Sequence, residues 1–310
     1  MYLGVDLGSV STDLTIIDEN VNVLAQVYLL TGGAPIEATK EGLRMVEAQL
    51  NGKCDIQGVG TTGSGRRLAD VIVGADVVKN EITAHAVAAS YLVPDVKTII
   101  EIGGQDSKII ILRDGIPVDF AMNTVCAAGT GSFLDHQAAR LGIAIEEFGK
   151  IALRAKSPAR IAGRCTVFAE SDMVHKQQVG CSKEDVMAGL CDALVRNFLS
   201  NVAKGKEILE PIVFQGGVAA NEGIKHAFEK ELGVKLIIPQ YFKFMGAIGV
   251  SMLAMEKDGA TRFKGFSVAD TEFKTSSFTC DGCPNQCEIV QIISDGERLA
   301  CWGSICGKWK

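Results

Sequence analysis

The chain carries one short pattern twice, about 95 residues apart, and this repeat limits the folds that it can adopt. Each time, an apolar run broken by one acid leads into a glycine turn and then into a second apolar run. Asp6 and Gly8 hold these places in the first copy, and Glu101 and Gly103 hold them in the second. Each copy predicts a strand, a tight turn and a strand. Two ordinary hairpins are an alternative, but the matched acids and glycines favour a duplicated hairpin that binds phosphate.

Strands and helices alternate along most of the remaining sequence, which predicts an α/β fold. A buried strand leads into the glycine turn at Gly216, and a short strand covers 236–239. From about Asp258 to Ser277 the sequence becomes polar and irregular, which indicates a boundary before the last part of the chain. Apolar residues at helical spacing predict the helices, which are 35–50, 81–92, 131–141, 167–178, 183–203 and 245–255.

Length and charge exclude several classes of protein. With 310 residues the chain can form two domains, and its net charge of −6 argues against nucleic acid or an anionic membrane as the main partner. No apolar run reaches the roughly 18–20 residues that span a bilayer, and the amino terminus shows no signal sequence. We therefore expect a cytoplasmic protein that binds neither nucleic acid nor a membrane.

Three glycine turns follow predicted strands, at Gly8-Ser9, Gly103-Gly104 and Gly216-Gly217. Glycine allows the backbone to approach phosphate closely, and the free N–H groups of such turns bind anions. The lysine-containing loop of P-loop proteins does not occur, and no Gly-x-Gly-x-x-Gly follows the first strand. The turns therefore indicate a phosphate site of a different type.

Two of the ten cysteines, Cys126 and Cys165, lie in glycine-rich approaches to predicted helices. The start of a helix offers free N–H groups and a partial positive charge, which favour thiolates and the sulfides of a metal cluster. Two thiolates are too few for a four-thiolate iron–sulfur site, and a two-fold dimer would supply the other two. For Cys54, Cys181 and Cys191 we expect ordinary structural roles, with Cys191 in a helix core.

Five further cysteines crowd the last 31 positions. Their density is typical of a metal site, and both zinc and a second iron–sulfur cluster are open alternatives. A flexible appendage is the other interpretation of this segment. These cysteines are Cys280, Cys283, Cys287, Cys301 and Cys306.

Three motifs carry a family resemblance. They are Glu-Ile-Gly-Gly-Gln-Asp at 101–106, Asn-Thr-Val-Cys-Ala-Ala-Gly-Thr-Gly at 123–131 and Phe-Gln-Gly-Gly-Val-Ala at 214–219. With the two hairpins and the small-residue helix near 245–249, they resemble the activators of 2-hydroxyacyl-CoA dehydratases. That group includes the ATPase subunits of benzoyl-CoA reductase and belongs to the actin, sugar-kinase and chaperone ATPase superfamily. The resemblance covers roughly residues 1–256.

The resemblance implies a two-lobed, actin-like (ribonuclease H-like) α/β fold with duplicated βββαβα-type domains. Residues 1–95 with 240–257 would form the first ATPase lobe. Residues 96–239 would form the second lobe, which carries Cys126 and Cys165. Residues 258–310 would be a linker and a cysteine-rich tail, which the compact activators lack.

The resemblance also implies an ATP or ADP site between the lobes. Asp6 and Asp106 are the candidates to hold Mg²⁺, mostly through water. Either Glu101 or Gln105 would position the attacking water, and the sequence does not rank these two. The remaining residues would bind the nucleotide itself: Gly8, Ser9, Ser11 and Thr12 from one side, Gly103, Gly104 and Gln105 from the other, and Gly216, Gly217 and Asn221 near the adenosine.

By the same resemblance, Cys126 and Cys165 would bind one [4Fe–4S] cluster jointly with their copies in a homodimer. The chain would then be an ATP-driven donor of single electrons to an acyl-CoA dehydratase or reductase component, with ferredoxin or flavodoxin as its electron source. Two other functions stay open: a small-molecule kinase on the same fold, and a nucleotide-regulated redox sensor.

Overall fold

A computed structural model describes residues 1–50, 55–123, 126–294 and 296–309. Cys54 lies outside these residues. Two five-stranded sheets form the two lobes of the molecule, and a smaller sheet follows near the carboxyl terminus. None of the described helices is both long and apolar enough to cross a membrane.

The first sheet has the strand order β3-β2-β1-β4-β5. Strands β1 and β2 are the first predicted hairpin, and β4 runs parallel to β1. Both hairpin strands are almost fully buried, as expected for apolar runs that are covered on both faces. The strands are β1 (Tyr2–Leu7), β2 (Ser11–Ile17), β3 (Val23–Leu30), β4 (Gly58–Thr62) and β5 (Val77–Val78).

The second sheet repeats this topology, with the order β10-β9-β6-β7-β8. Here β6 and β7 form the second predicted hairpin, and β9 runs parallel to β6 as β4 does to β1. The repeated strand order confirms the predicted duplicated α/β fold. The strands are β6 (Thr98–Ile102), β7 (Ser107–Arg113), β8 (Ile116–Asn123), β9 (Ile212–Gln215) and β10 (Leu236–Ile237).

Helices cover the sheets and fill the layer between them. Helices α3 and α9 pack against each other in that layer, where their apolar side chains join those of β6, β7 and β9 in one buried cluster. The helices are α1 (Pro35–Gln49), α2 (Arg66–Val73), α3 (Glu81–Leu92), α4 (Gly131–Leu141), α5 (Ile145–Ala152), α6 (Thr166–Gln178), α7 (Lys183–Asn201), α8 (Glu222–Leu232) and α9 (Met245–Met255).

Small residues allow α9 to lie unusually close to its neighbours. A Cβ on Gly249 would overlap the carbonyl oxygen of Ala84 in α3, and one on Gly4 in β1 would overlap that of Ala247. Gly246 faces the carboxylate of Asp6 in the same way. Helix α9 therefore joins α3 to the first sheet without intervening side chains.

The core of the second lobe is built around α7. Cys191, on this helix, is only 1% exposed, which confirms its predicted place in the core. Burial raises the pKa of its thiol well above the ordinary value.

The last part of the chain is more regular than its sequence indicates. A 3-10 turn, Phe266–Asp270, packs against α1, and a three-stranded antiparallel sheet follows. The sequence predicted irregular structure up to residue 277, whereas the first strand of this sheet begins at Lys274. Polar side chains on this exposed strand hid its pattern. The strands are β11 (Lys274–Thr279), β12 (Glu288–Ser294) and β13 (Glu297–Trp302).

Candidate functional site

A cavity of about 130 Å³ lies where the turns of the two large hairpins meet. It is lined by most of the residues that the sequence assigned to the nucleotide site. These are Asp6, Gly8, Ser9, Ser11, Glu101, Gly103, Gly104, Gln105, Asp106, Gly216 and Gly217. The lining also includes residues to which sequence reasoning assigned no role: Val10, Asp13, Tyr28, Ser64, Glu81, His85, Lys108, Phe242 and Lys243.

The two hairpin turns have the same backbone hydrogen bond. Gly8 N–H donates to Ser11 O at 2.9 Å, and Gly103 N–H donates to Asp106 O at 3.0 Å. The third turn requires glycine for a different reason: Gly216 has a φ of +86°, which L residues avoid. A Cβ at this position would also lie 2.7 Å from Glu101 Oε1.

Two predicted nucleotide residues lie outside this cavity. Thr12 is fully buried, and its hydroxyl forms a hydrogen bond of 2.9 Å with Thr31. Side chains alternate along a strand, so Ser11 and Asp13 reach the cavity while Thr12 faces the opposite way. Asn221 begins α8, where its side chain accepts a hydrogen bond from Ile224 N–H at 3.1 Å.

Asn221 lines a second, larger cavity of about 480 Å³ beside the first. The two share Val10, Gly103 and Gly217 among other lining residues. Apolar side chains such as Leu134 line the larger cavity. The pair thus combines a small polar space with a larger and more apolar one, as a nucleotide requires.

The acids of the first hairpin have raised pKa values. Burial, followed by the charge of Glu81, raises the pKa of Asp6 from 3.8 to about 7. Asp13 lies directly opposite Asp6 in the strand register. Burial and the charge of Asp6 hold its pKa well above the ordinary value. Within the described residues no basic side chain forms an ion pair with Asp6, and no hydrogen bond reaches Asp13 Oδ1.

The second hairpin contains a buried cation instead. Lys108 Nζ lies 2.8 Å from Glu101 Oε2, 2.8 Å from Asp106 Oδ1 and 2.9 Å from Glu81 Oε2. Burial acts to lower the pKa of Lys108, but the three carboxylates raise it far above the ordinary value. At Glu101, burial raises the pKa more than the charge of Lys108 lowers it, so the pKa of Glu101 is raised to about 7.

Glu81 and His85, the other two titratable groups near Lys108, both have lowered pKa values. Burial acts to raise the pKa of Glu81, but the charge and hydrogen bond of Lys108 outweigh it and lower the value. Burial, followed by the charge of Lys108, lowers the pKa of His85 to about 3. The imidazole is therefore neutral at physiological pH.

Sequence reasoning missed Lys108 and Asp13, although each left a signal. Each is a charged residue within the second apolar strand of a hairpin, and each lies opposite the acid of the first strand. A charge within a buried strand is costly unless it is paired or functional. That cost is the signal that identifies such residues from the sequence.

Cys126 lies just after β8 and begins a short 3-10 turn, Ala127–Gly129, rather than α4 itself. Asn123 holds it in place: its Oδ1 accepts from Cys126 N–H at 2.9 Å, and its Nδ2 donates to Cys126 O at 2.6 Å. The thiol is partly buried.

The segment after Cys126 is hydrogen-bonded to a turn of the cleft. Gly131 N–H donates to Gly103 O at 2.9 Å, and Ser132 Oγ donates to Gly104 O at 2.6 Å. The first turn of α4 is therefore attached directly to the glycine turn that lines both cavities.

Cys165 is the N-terminal capping residue of α6, and no acidic residue occurs in the first turn of this helix. Its thiol is also partly buried. Two nearby side chains, Val167 and Phe168, are each 66% exposed. Helix α6 thus presents a thiol and an apolar surface at its positively polarised end.

Asn197 of α7 contacts the segments of both cysteines. Its Nδ2 donates to Gly163 O, two residues before Cys165, at 2.6 Å. A Cβ on Gly129, three residues after Cys126, would lie 2.8 Å from its Oδ1. Among the described residues, no group of three or more His, Cys, Asp or Glu side chains is arranged to hold a metal ion.

In the tail, Cys280 and Cys301 are buried in a small cluster with Ile289. Trp309 Nε1 donates to Cys280 Sγ at 3.2 Å, and this hydrogen bond lowers the pKa of the Cys280 thiol. The predicted second metal centre in the tail stays a prediction.

Two sheets of matching strand order around a glycine-lined cleft define an α/β protein with the fold of actin-like ATPases and sugar kinases. A ROK family glucokinase from Streptomyces griseus shares this fold, with a TM-score of 0.53 at 14% identity over 83% of this chain and 99% of that one. The chain belongs to the BadF/BadG/BcrA/BcrD ATPase family, which it matches over residues 3–254.

Several proteins are more similar to this chain than the glucokinase is. The (R)-2-hydroxyglutaryl-CoA dehydratase activating ATPase of Acidaminococcus fermentans is 32% identical over 82% of this chain and 97% of its own length. The structure of the activator of the 2-hydroxyisocaproyl-CoA dehydratase from Clostridium difficile, with bound ADPNP, has a TM-score of 0.76 at 30% identity, over 83% of this chain and 95% of that one. One of the benzoyl-CoA reductase subunits of Thauera aromatica is 28% identical over 64% of this chain and 71% of its own length.

Proposed function

We propose that this chain is an ATP-dependent activator, which hydrolyses ATP in the cleft and passes single electrons to a CoA-thioester dehydratase or reductase component. The observation that carries the proposal is the hydrogen bonding of the Cys126 segment to the glycine turn of the cleft, in a chain of this ATPase family. The names of its relatives support a partner enzyme of that class. A homodimer, a ferredoxin or flavodoxin electron source and a cytoplasmic location belong to the same proposal.

The proposed nucleotide site uses both cavities. The turns at Gly8 and Gly103 bind the phosphates, and the larger cavity beside Asn221 takes the adenosine. Asp6 and Asp106 hold Mg²⁺ through its water ligands. The carboxylate of Asp6 fits a bound cation, because a divalent charge compensates the burial that raises its pKa. The two lobes that enclose this site comprise 1–95 with 240–257, and 96–239.

Glu101 and Gln105 divide the work on the attacking water. We assign proton acceptance to Glu101, because its carboxyl group lines the cavity beside the turn at Gly103, and its raised pKa favours proton uptake there. Gln105 is exposed in the turn beside it and orients the water through its amide.

The residues around Cys126 and Cys165 fit a [4Fe–4S] cluster shared with a second copy of the chain. Both thiols are partly buried at the start of a helical turn, where backbone N–H groups are free to stabilise negative charge. The exposed Val167 and Phe168 supply apolar surface for the second copy. When bound, such a cluster supplies single electrons at low potential.

The chain's own hydrogen bonds link the two sites. A nucleotide that moves the turn at Gly103 and Gly104 also moves Gly131 and Ser132 of α4, because their hydrogen bonds join these segments. The position of Cys126 thus depends on the occupant of the cleft.

Anaerobic purification with iron, sulfide and zinc analysis tests the proposal. We expect about four irons and four sulfides per two chains in the wild type, and at most about a tenth of that in Cys126→Ser or Cys165→Ser. Cys181→Ser is the matched control, since Cys181 is also partly buried in the second lobe, and it should keep the full iron content. A full cluster in Cys126→Ser would contradict the ligand assignment. ATP-dependent reduction of an added acceptor enzyme separates an activator from a kinase or a sensor.

A further inference from the structure

The ammonium group of Lys108 is surrounded by carboxylates from different parts of the fold. Its side chain is only 3% exposed, and its three N–H donors face three acids at 2.8–2.9 Å. Glu101 comes from β6 and Asp106 from the turn before β7, so both belong to the second sheet. Glu81 comes from the first turn of α3.

Helix α3 fixes the position of Glu81 relative to the first lobe. Asn80 caps the helix by accepting from Thr83 N–H at 2.9 Å, which places Glu81 at its first residue. The close contact of Gly249 with Ala84 holds α3 against α9, and α9 packs directly on β1 and β4. Lys108 therefore connects acids of the second sheet to a helix that is packed, through α9, on the first.

A buried ion network of this kind rarely adds net stability. Removing charges from water is costly, and well-packed apolar residues often replace such networks without loss. A charged group also makes shorter and stronger hydrogen bonds than a neutral one, which fixes the position of its partners. The two partners on the second sheet are acids of the proposed nucleotide site.

We propose that Lys108 is a positioning residue that holds Glu101 and Asp106 in place for ATP hydrolysis and, through Glu81, ties their position to helix α3. Glu81 shares the ammonium group of Lys108 with Glu101 and Asp106. A shift of Glu101 or Asp106 therefore changes a hydrogen bond of the same group that binds Glu81. Binding in the cleft is thereby transmitted to α3. This role rests on the proposed nucleotide site, but it requires neither the cluster nor the partner enzyme.

Two variants separate the parts of this role. Glu81→Ala removes the connection to α3 and leaves the bonds from Lys108 to Glu101 and Asp106. Lys108→Met removes all three bonds at similar side-chain length. Glu207→Ala is the matched control, because Glu207 pairs with Arg113 at the far end of β7 and is 72% exposed.

Amide hydrogen exchange with a non-hydrolysable ATP analogue and Mg²⁺, combined with steady-state ATPase kinetics, gives the readouts. In the wild type and the control, the analogue should slow exchange both in the 103–106 turn and in α3. In Glu81→Ala the turn should still be protected while the protection of α3 is lost, with kcat about 10-fold lower and KM within about 3-fold. In Lys108→Met both protections should be lost and kcat should fall about 100-fold.

Unchanged α3 protection in Glu81→Ala would overturn the connection to α3. Wild-type kcat and KM in Lys108→Met would overturn the positioning of Glu101 and Asp106. If Lys108→Met does not fold, the Glu81→Ala protein still tests the proposal. If the analogue protects no segment of the wild type, the proposed nucleotide function itself is contradicted, and the positioning role with it.

Discussion

The two hairpins that line the cleft share a backbone but differ in charge. Both have a glycine turn closed by the same hydrogen bond, and both carry an acid near the end of the first strand. In the first hairpin the residue opposite Asp6 is another acid, Asp13. In the second hairpin the residue opposite Glu101 is Lys108. A duplicated backbone has therefore kept its geometry while its side chains acquired different roles.

The residue opposite the strand acid determines whether the hairpin contains its own positive charge. In the second hairpin, Lys108 pairs with Glu101 and Asp106 and so compensates part of their charge within the chain itself. Raised pKa values occur in both hairpins, at Asp6 and Asp13 in the first and at Glu101 in the second. Glu101 has an ion pair with Lys108, whereas in the described part of the chain no ion pair reaches Asp6. We infer that an external cation, bound with the nucleotide, balances the first hairpin.

The largest effect is expected when the carboxylate of Asp6 is removed. Asp6→Asn should lower kcat for ATP hydrolysis about 100- to 1000-fold, because the proposed cation loses the carboxylate that holds its water ligands. The nucleotide-free variant should nevertheless be at least as stable as the wild type at pH 8, since the amide carries no charge for burial to oppose. Steady-state ATPase assays and thermal unfolding measure the two quantities.

Glu19→Gln is the matched control for this change, since Glu19 is an exposed acid in the turn that follows the same hairpin. It should leave both activity and stability unchanged. An Asp6→Asn protein that is clearly less stable than the wild type at pH 8 would show that Asp6 is compensated within the fold, and the contrast between the hairpins would disappear.

Most of the fold was predictable from the sequence because its signals are local. The hairpins, α4 and α9 follow from apolar periodicity and from glycine at turns. The edge strands β3 and β8 were not predicted, because Gln26 interrupts the apolar residues of β3, and Pro117 and Asp119 interrupt those of β8. The tail sheet was missed for the same reason.

The positions of the glycine turns that line the cavity were predictable from the sequence, whereas the pairing of the side chains beside them was not. The three glycine turns were located correctly, because glycine marks a conformation. The sequence groups Thr12 with Ser11 as a residue that would bind phosphate, whereas strand alternation turns its side chain away from the cavity. The cluster around Lys108 depends on the register between β6 and β7 and on the approach of α3, and these are properties of the folded chain.

A smaller effect is expected from displacing Asp6 without removing it. A Cβ on Gly246 would overlap the carboxylate of Asp6, so Gly246→Ala should shift that side chain. We expect a roughly 10-fold lower kcat and a loss of about 1–3 kcal/mol in the free energy of unfolding, as for overpacking in a core. Ser251→Ala, in the same helix, serves as control. Normal kcat in a destabilised Gly246→Ala protein would indicate that the position of Asp6 is not critical.

The last effect concerns stability alone, and it is the pH dependence that Asp6 gives to the free energy of unfolding of the nucleotide-free chain. Its pKa is about 7 in the folded chain and near the ordinary 3.8 in the unfolded chain. Between these values the folded state keeps a proton that the unfolded state has lost, so Asp6 makes the free energy of unfolding fall as the pH rises from about 4 to 7. The asparagine in Asp6→Asn does not titrate. Glu101 is present in both proteins, so its own titration contributes to the stability of both. The stability of Asp6→Asn relative to the wild type should therefore increase between pH 5 and pH 7 and level off above pH 7 in urea unfolding. A difference that stays constant across this range would mean that Asp6 is already ionised at pH 5, and that the fold itself compensates its charge.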